Sequence, residues 1–255
     1  FDAPLARTRE YVDIVRLALA REEVRYAGAH YRLPLPDRPG KALRLSIRPR
    51  RPDLPLYLAA VGPRNLALAG EVADGWLGVF VAPDALAEAR AAVDAGRAAA
   101  GRTSPFDVVA AVPVVPAPDD AAESLARCVD AVRPHAALYI GGMGTRSRNF
   151  YHRLACRLGY AAQADEVQEH YLAGRHRAAA AAVPAEFVDR TSLLGSPDRI
   201  AAGLRAYAAA GVGTLAVSLP PAADRDAGLH VLRAVAEAWR RADLPLAAPT
   251  PGAQR

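Results

Sequence analysis

Hydrophobic positions along this chain change period several times, and each change marks an element. In Pro4–Arg21 the residues Leu5, Tyr11, Val12, Ile14, Val15 and Leu19 form one helical stripe, with Arg7, Arg9, Asp13 and Arg16 largely on the wet side. Arg9, Asp13 and Arg16 stand at spacings that allow pairing along that helix, and Glu10 and Arg16 suit surface ion pairs or a dimer seam better than catalysis. Val24–Leu33 alternates around a central glycine, which predicts a small hairpin or irregular strand. Pro34–Pro55 is proline- and arginine-rich and predicts an exposed excursion, with at most a short edge strand at Leu43–Ile47.

A strand-then-helix rhythm begins at Pro55. Leu56–Val61 is a short apolar run, Gly62-Pro63 supplies a turn and a helix-compatible first position, and Arg64–Val72 reads as a helix. Gly75–Phe80 is a strand, Pro83–Ala100 a helix, Phe106–Val115 a third strand and Asp119–Val132 its helix. This order predicts an α/β fold with a parallel sheet. From 136 to 194 the rhythm breaks into successive helices, Asn149–Leu158, Ala161–Leu172 and Arg175–Ala182, which predicts an inserted helical cap. Order resumes with Ser196 as an N-cap, Pro197 in the first turn, and Gly211 as a left-handed stop. Leu215–Leu219 is the fourth strand and Asp226–Arg240 the last helix, before a Pro- and Ala-rich tail expected to fray.

Four buried strands in 255 residues are half of what a (β/α)8 barrel of about 250 residues holds. The pattern therefore reads as the C-terminal part of a TIM barrel, one domain over 1–255, lacking its first four strands and carrying the insertion before its last strand. The chain starts at Phe1 and its only methionine is Met143, so processing or truncation is expected to have removed the natural start.

Composition narrows the function. No apolar run approaches the roughly 20 residues that span a bilayer, and FDAPLARTRE has no signal-peptide core, so a cytoplasmic location is the default expectation, with no membrane partner. The net charge of +5 comes from scattered arginines with Lys41 as the single lysine, which argues for solvated faces and against nucleic acid. Cys128 and Cys156 form no CxxC, and the histidines form no HxxxH set, so no metal and no disulfide framework are expected.

The series REYVDIVR (9–16), LPLYLAAVGPRNLALAGEVADGW (54–76), LYIGGMGTRSRNFYHRLACRLGY (138–160), YLAGR (171–175), AAAVPAEFVD (180–189) and LLGSPDRI (193–200) resembles the bacterial-luciferase-like superfamily, in the branch of coenzyme F420-dependent oxidoreductases. That resemblance implies a TIM barrel with a helical region before the eighth strand. It implies hydride transfer between reduced deazaflavin and a small organic substrate, with an FMN-dependent monooxygenase as the alternative. A non-catalytic half-barrel or gene fragment, open at strand edges near Leu56 and Leu215, is a third. A homodimer is the assembly considered.

Within that frame Ala59, Ala60, Val61, Gly62 and Pro63 are the expected cofactor contacts: small residues at a strand's end followed by a helix N-terminus let a phosphate approach the backbone. Tyr139, Gly142 and Met143 are the expected substrate-pocket residues, with Gly141 and Gly144 allowing a bend; an ordinary inter-helix loop explains the run equally well. Arg146, Arg148 and His152 stand beside it, where an anionic group could meet them. Asp74 and Gly75 look like a site but connect a helix to the next strand, the stability face of a barrel, and are read as structural. The sequence names no catalytic residue.

Overall fold

The computed structural model describes residues 2–37, 40–51, 53–219 and 224–245; most of the expected frayed tail lies outside the described residues. The chain divides into one unit of residues 1–76, 91–106 and 248–255, and a second of 77–90 and 107–247.

In the first unit, helix α1 (Pro4–Leu19) begins with proline in its first turn, and strands β1 (Tyr26–Ala27) and β2 (Arg32–Leu33) form the expected hairpin. Glu10 of α1 fixes the hairpin turn by accepting the amides of Ala29 at 2.9 Å, His30 at 3.0 Å and Tyr31 at 2.9 Å. The edge strand expected at Leu43–Ile47 does not form. Leu43 makes an isolated bridge to Val24, and Leu43 and Ile47 are exposed, so there is no apolar surface to hold a strand there. Strand β3 (Tyr57–Ala59) is followed by α2 (Pro63–Val72); along the chain then come β4 (Gly75–Val79), divided between the units after Trp76, a 3-10 turn at Pro83–Ala85 in the second unit, and α3 (Leu86–Ala99), divided after Arg90.

The arginines of α1 do not pair along their own helix. Arg9 binds Glu71 of α2 through two bonds of 2.9 and 2.6 Å, and Arg16 donates to Asp74 at 3.0 Å and to the Val72 carbonyl at 2.9 Å. Cross-helix partners win because a bidentate carboxylate match and an unsatisfied helix-end carbonyl outweigh a surface i,i+4 pair. Asp74 also accepts from the Leu56 amide at 2.9 Å and from Arg102 at 2.8 Å. Burial alone would raise this carboxyl, but the Leu56 amide and the two guanidiniums outweigh it and hold the acid below its usual range. Its duty is structural. Between α2 and α3, glycines face backbone: a Cβ on Gly70 would strike the Val93 carbonyl, and one on Gly96 would strike the Ala67 carbonyl.

In the second unit, β5 (Asp107–Pro116) is the longest strand. It pairs in parallel with β7 (Thr214–Ser218) from Val109 to Pro113 and with β6 (Leu193–Gly195) from Val114 to Pro116, so two strands lie end to end along it. The three-residue β6 is too short to show a period and is not among the strands expected from sequence. Between β5 and β6 run α4 (Ala122–Ala137), a π-helical turn (Leu138–Gly142), α5 (Phe150–Arg157), α6 (Ala161–Leu172), α7 (His176–Ala182) and the unexpected α8 (Ala185–Arg190). Helix α4 packs on β5 and β6 on one side and on α7, α8 and the π turn on the other. The return path is α9 (Pro197–Ala209), which packs on α10 (Arg225–Ala242).

Polar anchors hold the ends of these elements. Asp120 accepts the Ser196 amide and hydroxyl, both at 2.7 Å, while the same hydroxyl oxygen accepts the Arg199 amide and caps α9. Gly211, at φ 94°, ends that helix in the left-handed region. Buried Asn149 caps α5 and donates to the carbonyls of Tyr139 at 2.9 Å and Ile140 at 2.8 Å, satisfying groups that the π turn leaves open.

Candidate functional site

At the end of β4 the chain makes an uncommon choice. Phe80 takes φ 55° although it carries a bulky side chain, and it is 2% exposed. A left-handed aromatic residue costs of order 1–2 kcal/mol and persists only where the surroundings over-determine it. Here the surroundings are rings: Phe80 lies 5.4 Å from Tyr139, 5.5 Å from Phe187, 5.7 Å from His135 and 6.1 Å from Tyr151. His135 and Tyr139 meet at a tilt of 49° with centroids 4.7 Å apart, and Tyr139 meets Tyr151 edge-on at the same distance.

Beside this cluster is a small cavity, open on one side and lined by Pro113, Val114 and Val115 of β5, Ala131, Val132 and His135 of α4, and Ser218 and Leu219 at the end of β7. It therefore lies at the carboxyl ends of parallel strands, roofed by α4. Its walls are aliphatic, with the His135 imidazole and the Ser218 hydroxyl as side chains able to orient a polar group. Burial lowers the basicity of His135, so the ring is neutral at pH 7. In the unfolded chain a histidine titrates near about 6.5 and takes up its proton earlier. The stability contributed by the neutral ring is thus full above that pH and is lost as pH falls through the lower folded value. Urea denaturation at pH 7 and pH 5 should show His135→Gln losing less stability between the two than the parent chain.

The expected contact residues fall as follows. Ala59 ends β3, the buried Ala60 gives its carbonyl to the Trp76 indole at 2.8 Å, Val61 is half-buried, Gly62 is the N-cap of α2 and Pro63 its first residue. Gly62 has extended backbone, φ −90° and ψ 154°, no side chain caps the helix there, and an added Cβ would meet nothing within 4 Å. The helix start thus has room beside Gly62 and first-turn amides without intrahelical acceptors, with exposed Arg64 just beyond.

Tyr139 and Gly142 lie on the π turn and Met143, exposed, just after it, but none of the three lines the cavity; Tyr139 is next to it through His135. The glycines of the run have a local reason. A Cβ on Gly141 or Gly142 would strike the Tyr171 ring of α6, and Gly144 takes φ 146° against the backbone of Arg148. Phe80, His135 and Ser218 were not singled out by sequence reasoning as a group, since no motif joins them. The Phe that closes an apolar strand gives no hint that its φ is positive. Among the described residues no helix is long and apolar enough to cross a membrane.

Parallel strands, a helical cap between two of them and a cavity at their carboxyl ends define the class of α/β proteins that take ligands at that face of the sheet. The chain belongs to the luciferase-like monooxygenase family, whose profile matches residues 1–214. It is 40% identical over 226 residues to a protein of Mycobacterium tuberculosis named as a coenzyme F420-dependent oxidoreductase, covering 86% of this chain and 64% of that relative. It is 26% identical over 238 residues to a 5,10-methylenetetrahydromethanopterin reductase of Archaeoglobus fulgidus, covering 91% of this chain and 65% of that one. Among solved structures, the coenzyme F420-dependent tetrahydromethanopterin reductase of Methanopyrus kandleri matches with a TM-score of 0.69 at 22% identity, covering 91% of this chain and 62% of its own. The chain thus spans somewhat under two thirds of the length of these relatives, and the structural match speaks for the fold.

Proposed function

We infer that this chain is part of a coenzyme F420-dependent oxidoreductase acting on a small organic substrate. The observation that carries the reading is the open turn at the head of α2, where Gly62 leaves room above a helix N-terminus. The relatives support the choice of cofactor. Residues Ala59, Ala60, Val61, Gly62 and Pro63 fit the anionic linker of a deazaflavin: their side chains are small, the Ala60 carbonyl is turned to Trp76, and the first-turn amides of Arg64 and Asn65 lack intrahelical acceptors. Bound deazaflavin supplies hydride transfer; the protein supplies position and exclusion of water. The aliphatic cavity at the ends of β5 and β7 would take the apolar part of the substrate, with neutral His135 and Ser218 hydrogen-bonding its polar group.

The test is cofactor binding measured by deazaflavin fluorescence, with FMN as competitor. Gly62→Asp should weaken F420 binding at least tenfold, about 1.4 kcal/mol, with little change in melting temperature, because the new side chain enters empty space with allowed backbone. Tighter binding of FMN than of F420 would assign the chain to flavin-dependent chemistry. Binding of neither would favour a non-catalytic half-barrel, and an unchanged affinity in Gly62→Asp would remove this turn from the site.

A further inference from the structure

We propose that Cys156, His152 and Asp165 form a thiol-modification site on the cap, at which Cys156 exchanges with the disulfide of a small thiol while His152 takes its proton. None of the three residues lines the cavity. His152 and Cys156 are one helical turn apart on α5, so both project from the same face. Gly159, at φ 100°, reverses the chain into α6 and brings Asp165 back over that face. The Cys156 sulfur lies 3.7 Å from His152 Nδ1, within thiol hydrogen-bond range, and His152 Nε2 lies 2.9 Å from Asp165 Oδ1.

These two contacts fix the chemistry of the ring. A carboxylate oxygen only accepts, so Nε2 carries the hydrogen and donates it to Asp165. Nδ1 is then left with its lone pair facing the thiol, the order of nucleophile, base and orienting acid that activates cysteine and serine nucleophiles. The His152 side chain is 16% exposed and held between its two partners, whereas Asp165 is 74% exposed, so the base is well placed and its orienting acid is open to water. Cys156 itself is half-buried at the cap's edge, unlike the buried Cys128. Burial, then Asp165, push the Cys156 thiol up, with Arg157 opposing them, so the resting sulfur keeps its proton and needs a base to become nucleophilic.

The exchange balances without another reagent. The thiol proton passes to Nδ1 as the sulfur attacks one sulfur of the incoming disulfide. A new bond forms from Cys156 to that sulfur, the old sulfur–sulfur bond breaks, and the departing thiolate takes the proton from the imidazolium. Cys156 is oxidised to a mixed disulfide and one half of the reagent is reduced to a thiol.

The experiment uses the full chain with 5,5′-dithiobis(2-nitrobenzoate) at pH 7.5, following release of the coloured thiolate and mapping the adduct by mass spectrometry. One fast equivalent on Cys156 is expected, absent in Cys156→Ser and retained in Cys128→Ser. His152→Gln should slow it at least tenfold with unchanged circular dichroism. Asp165→Asn should slow it several-fold and move the His152 ring-nitrogen signals in NMR away from the tautomer with hydrogen on Nε2. Reaction of both cysteines only on unfolding, or a fast phase that His152→Gln leaves untouched, would overturn the proposal. If His152→Gln unfolds, the His152 tautomer and adduct position in the unmutated chain decide by themselves: hydrogen on Nδ1, or labelling of Cys128 first, refutes it.

Discussion

Gly96→Ala is expected to destabilise the chain by about 3 kcal/mol, even though alanine is the better helix former by about 1 kcal/mol. The propensity gain is local, and the steric loss is not. The new methyl would press on the carbonyl, carbonyl carbon and Cα of Ala67, all backbone, so no side-chain rotation relieves it and helices α2 and α3 must separate. Val93, fully buried on α3, and Ala69, fully buried on α2, would lose their packing as they part. Gly62→Ala provides the contrast at the head of the facing helix α2, since its methyl meets nothing and its backbone is already extended; it should cost no more than about 1 kcal/mol, the preference of an N-cap for glycine over alanine. Thermal denaturation of the two variants side by side checks this, and equal melting temperatures would show that α2 and α3 do not touch as described.

Phe80 gives the second large effect. Truncation to alanine removes the ring that contacts His135, Tyr139, Tyr151 and Phe187 and should cost about 4 kcal/mol. The informative comparison is with Phe80→Gly. At ordinary positions glycine is less stable than alanine by about 0.5–1 kcal/mol, but at φ 55° alanine keeps a steric penalty that glycine does not have. Glycine should therefore match or exceed alanine in denaturant midpoint, against the usual order. A clear deficit for glycine would mean that residue 80 is not left-handed.

The elements that were legible in the sequence are those decided locally. The β/α order from Pro55, the Ser196 cap, the Gly211 stop and the helices α5, α6 and α7 follow from period and turn chemistry, and the structure has them. What was not legible depends on residues far apart in the chain. Strand β6 exists because Leu193–Gly195 finds the last residues of β5, and three residues carry no period of their own. Helix α4 has the stripe of any amphipathic helix, and nothing in it tells that the partners are α7 and α8. Gly141 and Gly142 read as a place for the backbone to bend, and that Tyr171 of α6 lies against them depends on a residue thirty positions away. The candidate site follows the same division: the Gly62 turn was visible because strand, glycine and proline are adjacent, whereas His135 and Ser218 are brought together only by folding.

The two hydrogen bonds that Asp120 accepts from Ser196 have a bearing on how this protein can change. They pin the start and finish of the whole excursion between β5 and α9 to each other, so the two ends of that excursion are tied in a closed neck. Closing a loop costs only about 0.6 kcal/mol more for each doubling of its length. The length of that excursion can accordingly change at small closure cost, provided the neck and the ring contacts of Phe80 with Tyr139, Tyr151 and Phe187 are kept, which makes its outer turns the natural place for insertions and deletions while the strands beneath stay the same.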